Sequence, residues 1–265
     1  MKAFDKLEEA IKFCGKYAVK QQSLVTRDYK NDGSVLTEAD IYIDTYLKKI
    51  ITENFPNSIL ITEESGEVEN NHNQKPDYFF ILDPIDGTDL YSQGAPGWCI
   101  ALGILDNNLV PCGSMIFAPR WGLGNDEGLF FRLDPDGDLF LNQKPFILKK
   151  QHNSVKQIVM SSNTHRYLDL SKYPGKCRVF GSCIIHLLAP VIHINIDSAI
   201  CTSGYIWDLA AAHSILHYLG LVLVKNDGTA FIYTQSLLNG NPNNDILFAG
   251  SPEQCEYMRK TFHNI

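Results

Sequence analysis

Apolar residues recur three or four positions apart at Phe4, Leu7, Ile11, Cys14 and Ala18, the period of an amphipathic helix. The spacing returns at Ile43, Leu47, Ile50 and Phe55 and predicts a second helix over about residues 40–55. Between the two, Lys30-Asn31-Asp32-Gly33-Ser34 is rich in turn formers. Phe79-Phe80-Ile81-Leu82 is a continuous apolar run and reads as a buried strand that stops at Asp83-Pro84. Strand-like runs follow at 100–105, 114–117, 129–132 and 139–141. Turns at Asn107-Asn108 and Asp134-Pro135-Asp136-Gly137 separate them and predict an antiparallel sheet.

Beyond about residue 145 the rhythm changes. A strand-like run at 158–162 precedes helical stretches at 184–194 and 207–219, and 221–224 and 246–249 read as strands. Ser251-Pro252-Glu253-Gln254 has the form of a capping box with proline at the first helical position. Strands alternating with helices predict layered α/β packing. The expected division is residues 1–145 and 146–265, packed closely because no linker composition separates them.

The 265 residues include 23 Lys and Arg against 30 Asp and Glu, a net charge of −7. That balance disfavours a general nucleic-acid or membrane-surface binder and suits a protein that holds divalent cations. No apolar run reaches membrane-spanning length, and Lys2, Asp5, Lys6, Glu8 and Glu9 interrupt the N-terminal stretch where a targeting segment would need continuity. A cytoplasmic location is the expectation. The seven cysteines are scattered without a C-x-x-C pair, which suggests reduced thiols.

Chemistry concentrates at Asp83-Pro84-Ile85-Asp86-Gly87-Thr88. A buried strand delivers two carboxylates three residues apart, Pro84 stiffens the turn, Gly87 permits close backbone approach and Thr88 adds a hydroxyl. Oxygen ligands of this kind suit Mg²⁺, and a helix starting near Thr88 would suit a phosphate. The plainer alternative is a strand-to-helix turn with Asp86 as N-cap and Asp83 solvated. Three more acidic positions carry similar alternatives: Glu63-Glu64 as a strand-end ligand or a solvated pair, Asp208 as a ligand or a helix N-terminal acid, and Asp40 as a reacting group or the capping partner of Thr37.

In order, Lys30-Asn31-Asp32-Gly33-Ser34-Val35-Leu36-Thr37-Glu38-Ala39-Asp40, Thr62-Glu63-Glu64-Ser65, Leu82-Asp83-Pro84-Ile85-Asp86-Gly87-Thr88 and Trp207-Asp208-Leu209-Ala210-Ala211 resemble the inositol monophosphatase family. That family belongs to the Mg²⁺-dependent, lithium-sensitive phosphatases that include fructose bisphosphatase. The resemblance implies an αβαβα sandwich and a metal-activated phosphomonoesterase using two or three Mg²⁺ ions. It implies that Glu63, Asp83 and the Ile85 carbonyl hold one ion, that Asp83, Asp86 and Asp208 hold a second, and that Glu63 serves a weaker third. Most ligands would thus come from residues 1–145, with 146–265 closing the site.

The same resemblance has Gly87 and Thr88 cradling the phosphate, with Asp86 and Asp208 also facing substrate. Thr88 and Asp40 would orient and deprotonate the attacking water, and Gly181-Ser182-Cys183 would line the substrate pocket. The substrate implied is a small phosphorylated metabolite of the inositol monophosphate type, and a homodimer is the common arrangement in similar proteins.

Two departures bear on the substrate. Cys201 stands where inositol-specific members carry an acidic residue, and a thiol cannot replace a carboxylate acceptor. Residues 89–98 resemble the histidinol-phosphatase-like branch more closely. Histidinol phosphate, phosphoadenosine phosphate and sugar phosphates are the alternatives, and a protein-binding regulatory role is an alternative of another class. Elsewhere Asp134-Pro135-Asp136-Gly137-Asp138 reads as a hairpin turn, since Leu139 sits where a calcium loop needs glycine. His213 and His217 read as helix-face packing.

Overall fold

In the computed structural model of the chain, residues 2–30, 33–68, 75–122, 127–149 and 157–262 are described, so Asn31 and Asp32 of the turn-rich segment lie outside them. Helix α1 (Ala3–Gln21) buries Leu7, Ile11, Cys14 and Ala18, the apolar stripe predicted for it. A short antiparallel ribbon of β1 (Asp28–Tyr29) and β2 (Val35–Leu36) leads into α2 (Glu38–Asn54). Thr37 and Asp40 form a capping box there, so α2 starts two residues before its expected beginning. It ends ahead of Phe55, which precedes Pro56 and is therefore disfavoured in helical geometry.

The first sheet collects β3 (Ile59–Thr62), β4 (Gly66–Val68), β5 (Tyr78–Asp86), β6 (Cys99–Asp106), β7 (Pro111–Ala118), β8 (Leu129–Leu133), β9 (Leu139–Leu141) and β10 (Lys144–Pro145). Their order is β10-β9-β8-β7-β6-β5-β3-β4, with β3 and β5 parallel and the other neighbours antiparallel. The five-residue helix α3 (Thr88–Ser92) follows β5. The expected meander is present, and the Asp134–Gly137 stretch is the hairpin turn between β8 and β9.

One strand boundary differs. Strand β5 does not stop at Asp83-Pro84 but runs to Asp86, with a register shift against β6 between Asp83 and Asp86. A bulge tolerates a residue that cannot donate a ladder hydrogen bond, which is how Pro84 fits inside a strand.

The second sheet comprises β11 (Gln157–Met160), β12 (Lys176–Arg178), β13 (Ser198–Cys201), β14 (Val222–Lys225) and β15 (Leu247–Gly250), ordered β12-β11-β13-β15-β14. Helices α4 (Cys183–Ile192), α5 (Ala210–Tyr218), α6 (Gln235–Leu238) and α7 (Pro252–Thr261) accompany it. Ser251 caps α7 by accepting from Gln254 N at 3.2 Å, with Pro252 at the first helical position. Helix α5 starts three residues later than the apolar pattern suggests, because Asp208 first closes a turn onto Tyr205 N at 2.6 Å.

Alternation along β5 sorts its side chains between two cores. Phe80 and Leu82 pack with Leu7 and Ile11 of α1 and Ile43 and Leu47 of α2. Ile81 faces the other way, toward Leu187 of α4, Ile215 of α5 and Val159 and Ala199 of the second sheet. On the far side of that sheet Ile158, Ile200 and Phe248 meet Cys255 and Met258 of α7. The layers are therefore αβαβα. Among the described residues, no helix is long and apolar enough to cross a membrane.

Candidate active site

Strand β5 ends inside the molecule, and its last turn carries the chemistry. Asp83 is 1% exposed and Asp86 5%, so Asp83 is not the solvated turn residue of the plainer alternative. Gly87 has φ +94°, and a Cβ there would stand 2.8 Å from the Gly97 carbonyl oxygen. Its left-handed turn starts α3 at Thr88, whose hydroxyl lies 2.7 Å from Ile85 O and 3.2 Å from Asp40 Oδ1, its single proton shared between these two acceptors.

Asp86 does not cap α3. It accepts from Cys183 N at 3.1 Å, from Ile184 N at 2.6 Å and from the Ser182 hydroxyl, all at the start of α4. Unpaired N–H groups and the positive end of the helix dipole favour a carboxylate there. Gly181 allows this approach: with φ +97°, its Cβ would meet Leu90 Cδ1 of α3 at 1.9 Å. His186 Nε2 accepts from Phe180 N at 2.8 Å and Gly181 N at 3.2 Å and so fixes the same turn.

The two halves of the site meet at the carboxylates. One oxygen each from Asp83, Asp86 and Asp208 lies within 4.8 Å of the others, although 125 residues of chain (208 − 83) separate the first from the last. Asp83 Oδ1 is buried without a hydrogen-bond partner. An orphaned buried oxygen among three carboxyls is poorly explained by packing and fits a divalent cation with oxygen ligands. Glu63 stands at the end of β3, where Lys30 Nζ contacts both Glu63 and Glu64 at 2.7 Å. The two glutamates are thus an ion-paired cluster rather than a solvated pair.

A cleft of about 410 Å³ opens over this ground. Glu63, Asp83, Ile85, Asp86, Gly87, Thr88 and Asp208 line it, with Arg27 and Tyr29 reaching in from the β1 side. Among the described residues, its lining does not include Gly181, Ser182 or Cys183; Ser182 and Cys183 touch the site through Asp86, and Gly181 packs against Leu90 of α3. Asp40 is fully buried and connects to the cleft through Thr88. Its capping role and its contact with Thr88 coexist. Sequence pattern alone does not single out Lys30 or Arg27 as site residues. Two cations beside a turn, ahead of an otherwise acidic set, were the available signal.

Burial raises the four aspartates Asp40, Asp83, Asp86 and Asp208. Asp208 is pushed to about 8 by burial and the neighbouring Asp86 charge. Asp86 is pushed to about 6 by burial against the pull of its Ser182 and α4 hydrogen bonds. Asp40 is likewise raised by burial to about 6, and Asp83 lies well above the usual range through burial and the Glu63, Asp86 and Asp208 charges. Burial alone would lower the Lys30 ammonium, but Glu63 and Glu64 outweigh it and hold Lys30 above its ordinary value.

These shifts set a pH dependence. A carboxyl raised on folding leaves the folded state binding more protons than the unfolded chain, so its contribution to stability is lost as pH climbs. The metal-free protein is expected to lose melting temperature between about pH 6.5 and 8, above the range where the buried His186 and His213 oppose the carboxyls and up to the value of Asp208. Saturating Mg²⁺ should flatten the slope by favouring the ionised forms. Thermal melts across that range, with and without Mg²⁺, measure it; a metal-free protein that grows more stable over the window would contradict it.

The fold and this acidic cleft define a layered α/β protein with a carboxylate cluster that could hold a divalent cation. The inositol monophosphatase family model matches residues 2–256, and the chain belongs to that family, whose members hydrolyse phosphomonoesters and generally use Mg²⁺. It is 24% identical over 243 residues to Inositol monophosphatase 1 of Solanum lycopersicum, covering 87% of this chain and 86% of that protein. It is also 24% identical over 211 residues to a histidinol-phosphatase of Mycobacterium tuberculosis, covering 77% and 78%. The fold matches the IMPase of Thermotoga maritima with a TM-score of 0.76 at 17% identity, over 98% of this chain and 96% of that one.

Proposed function

We propose that the chain is a Mg²⁺-dependent phosphomonoesterase acting on a small phosphorylated metabolite of the inositol monophosphate type. The observation that carries this reading is the convergence of Asp83, Asp86 and Asp208 within 4.8 Å beneath a cleft that also exposes Thr88. Asp83, Asp86 and Asp208 would hold Mg²⁺ together with the Ile85 carbonyl and Glu63, which accounts for two ions and a weaker third. When bound, Mg²⁺ neutralises phosphoryl charge and makes water a better nucleophile.

The chain's own groups do the rest. Backbone N–H groups of Gly87 and Thr88 position the phosphate, and Arg27 adds positive charge at the mouth of the cleft. Thr88 Oγ1 orients the attacking water, and Asp40 Oδ1, in contact with that hydroxyl, takes up the proton. A carboxyl held at about 6 is suited to accept a proton near neutral pH. Residues up to 145 supply most of the site on this reading, and the later residues close it with Asp208 and the start of α4.

A second reading, an amino-alcohol phosphate such as histidinol phosphate, rests on the resemblance of residues 89–98 to that branch, while Cys201 weakens the inositol reading. That side chain is fully enclosed and pairs with the sulfur of Cys183, so it offers no carboxylate to substrate hydroxyls. Phosphate release from a panel of phosphomonoesters discriminates the two. Activity is expected to vanish in excess chelator and return with Mg²⁺, with Ca²⁺ a poor substitute because of its larger radius and looser geometry. Full turnover in chelator would sink the metal mechanism. A panel without any turnover, together with a stoichiometric co-purifying protein, would favour the regulatory alternative.

A further inference from the structure

Cys183 opens α4 and Cys201 ends β13, and their sulfurs stand 3.3 Å apart with both thiols free. Cys201 is fully enclosed, whereas Cys183 is only half-buried. The backbone N–H of Cys183 is one of the groups that hold Asp86. We propose that Cys183 and Cys201 form an oxidisable thiol pair, a modification site for a low-molecular-weight disulfide such as glutathione disulfide, whose closure loosens the hold of α4 on Asp86. The second half of this proposal rests on Asp86 being a Mg²⁺ ligand; the first half does not.

The chemistry balances as thiol–disulfide exchange. Cys183, the less buried partner, loses its proton, and its sulfur attacks one sulfur of the small disulfide. The old S–S bond breaks, and the departing thiolate takes up a proton. Cys201 then loses its proton and attacks the Cys183 sulfur of the mixed disulfide, expelling the second thiol. Two protein thiols have given up two electrons and two protons, and one small disulfide has become two thiols. The second step is intramolecular with the attacking sulfur already in place, which favours closure over a lasting adduct.

Closure has a mechanical consequence. A disulfide bond is about 2.05 Å long, so the sulfurs must approach by about 1.2 Å from 3.3 Å. Cys201 is held in the interior of the second sheet, where β13 pairs with β11 and β15. The first turn of α4 is the side that yields. The Cys183 N to Asp86 Oδ1 hydrogen bond, 3.1 Å, belongs to that turn, and a shift of the turn lengthens it.

The test is incubation of the Mg²⁺-loaded protein with glutathione disulfide, followed by denaturing alkylation and peptide mass analysis. A Cys183–Cys201 linked peptide is expected as the main product. The Mg²⁺ concentration for half-maximal activity, and for half of the Mg²⁺-induced rise in melting temperature, should increase roughly tenfold, the scale of one charge-assisted hydrogen bond. Dithiothreitol should reverse both changes. In Cys201→Ala the glutathione adduct should persist on Cys183 without a link, which traps the first step. Absence of the linked peptide, or a link that leaves both Mg²⁺ midpoints unchanged, overturns the proposal. A protein that forms the link and shifts its melting response but hydrolyses none of the phosphomonoesters tested refutes the substrate reading and leaves this one standing.

Discussion

Asp83→Asn is expected to abolish most activity while making the metal-free protein more stable. Asp83 lies deepest of the three clustered carboxyls, and its Oδ1 has no hydrogen-bond partner. Without a cation its charge is repelled by Glu63, Asp86 and Asp208. An asparagine amide removes that charge and can donate to the neighbouring carboxylates, so the melting temperature without metal should rise. With Mg²⁺ the outcome inverts. Losing a shared ligand removes several kcal/mol of transition-state stabilisation, so kcat/KM should fall by roughly 10³-fold or more. The Mg²⁺-induced rise in melting temperature should shrink in parallel.

Glu64→Gln is the control. Glu64 bonds Lys30 at 2.7 Å and stands outside the Asp83, Asp86 and Asp208 triad, so its loss of activity should be far smaller. Equal losses in the two variants would mean that the cation is held elsewhere.

Thr88→Ala and Asp40→Asn should each lower kcat by roughly 10²–10⁴, the usual scale for groups that move a proton in the transition state. Each should leave the Mg²⁺ dependence of the melting temperature almost unchanged, since neither is assigned as a ligand. The double variant should be little worse than the worse single one, because both act on one water. Asp40 has a second duty that Thr88 lacks. Its carboxylate closes the capping box of α2 by accepting from Thr37 N at 2.9 Å. Asp40→Asn should therefore also cost about 1 kcal/mol of stability, the worth of a good cap. Measuring kcat and urea unfolding on the same samples separates the two duties. A lowered midpoint with normal kcat would leave Asp40 a capping residue alone.

Local pattern was enough to locate much of this molecule. The three-to-four spacing through Leu7, Ile11 and Cys14 gave α1, the strand-like runs between turns gave the antiparallel sheet, and Asp83 to Thr88 marked the candidate site. What escaped depends on residues far apart in the chain. The course of β5 through Pro84 is a matter of its register against β6, and no single-strand pattern reports a register. Asp86 looked like a cap for the helix that follows it, yet its partners lie about a hundred residues on, at Ser182, Cys183 and Ile184. Lys30 was visible as a residue, but its pairing with Glu63 and Glu64 exists only after β1 and β3 are brought together. The contact between Cys183 and Cys201 is of the same kind. Periodicity reports what an element does with its own neighbours, and a site assembled from distant segments lies outside its reach.

On the proposed mechanism Asp40 is doubly employed, and that affects what other sequences of this type can be trusted to say. A relative that had abandoned hydrolysis would still need a capping partner for the helix that Thr37 begins, so selection for folding alone would preserve an aspartate at that position. Thr88 has weaker structural protection: its hydroxyl returns to the carbonyl of Ile85 across a single turn, a contact that serine can also make. Asp83 has none, since an unpartnered buried carboxyl is a burden to a protein without a cation. Drift after loss of function should therefore erase Asp83 first and Asp40 last. An intact Asp83 is the informative sign of a working enzyme, and an intact Asp40 says little.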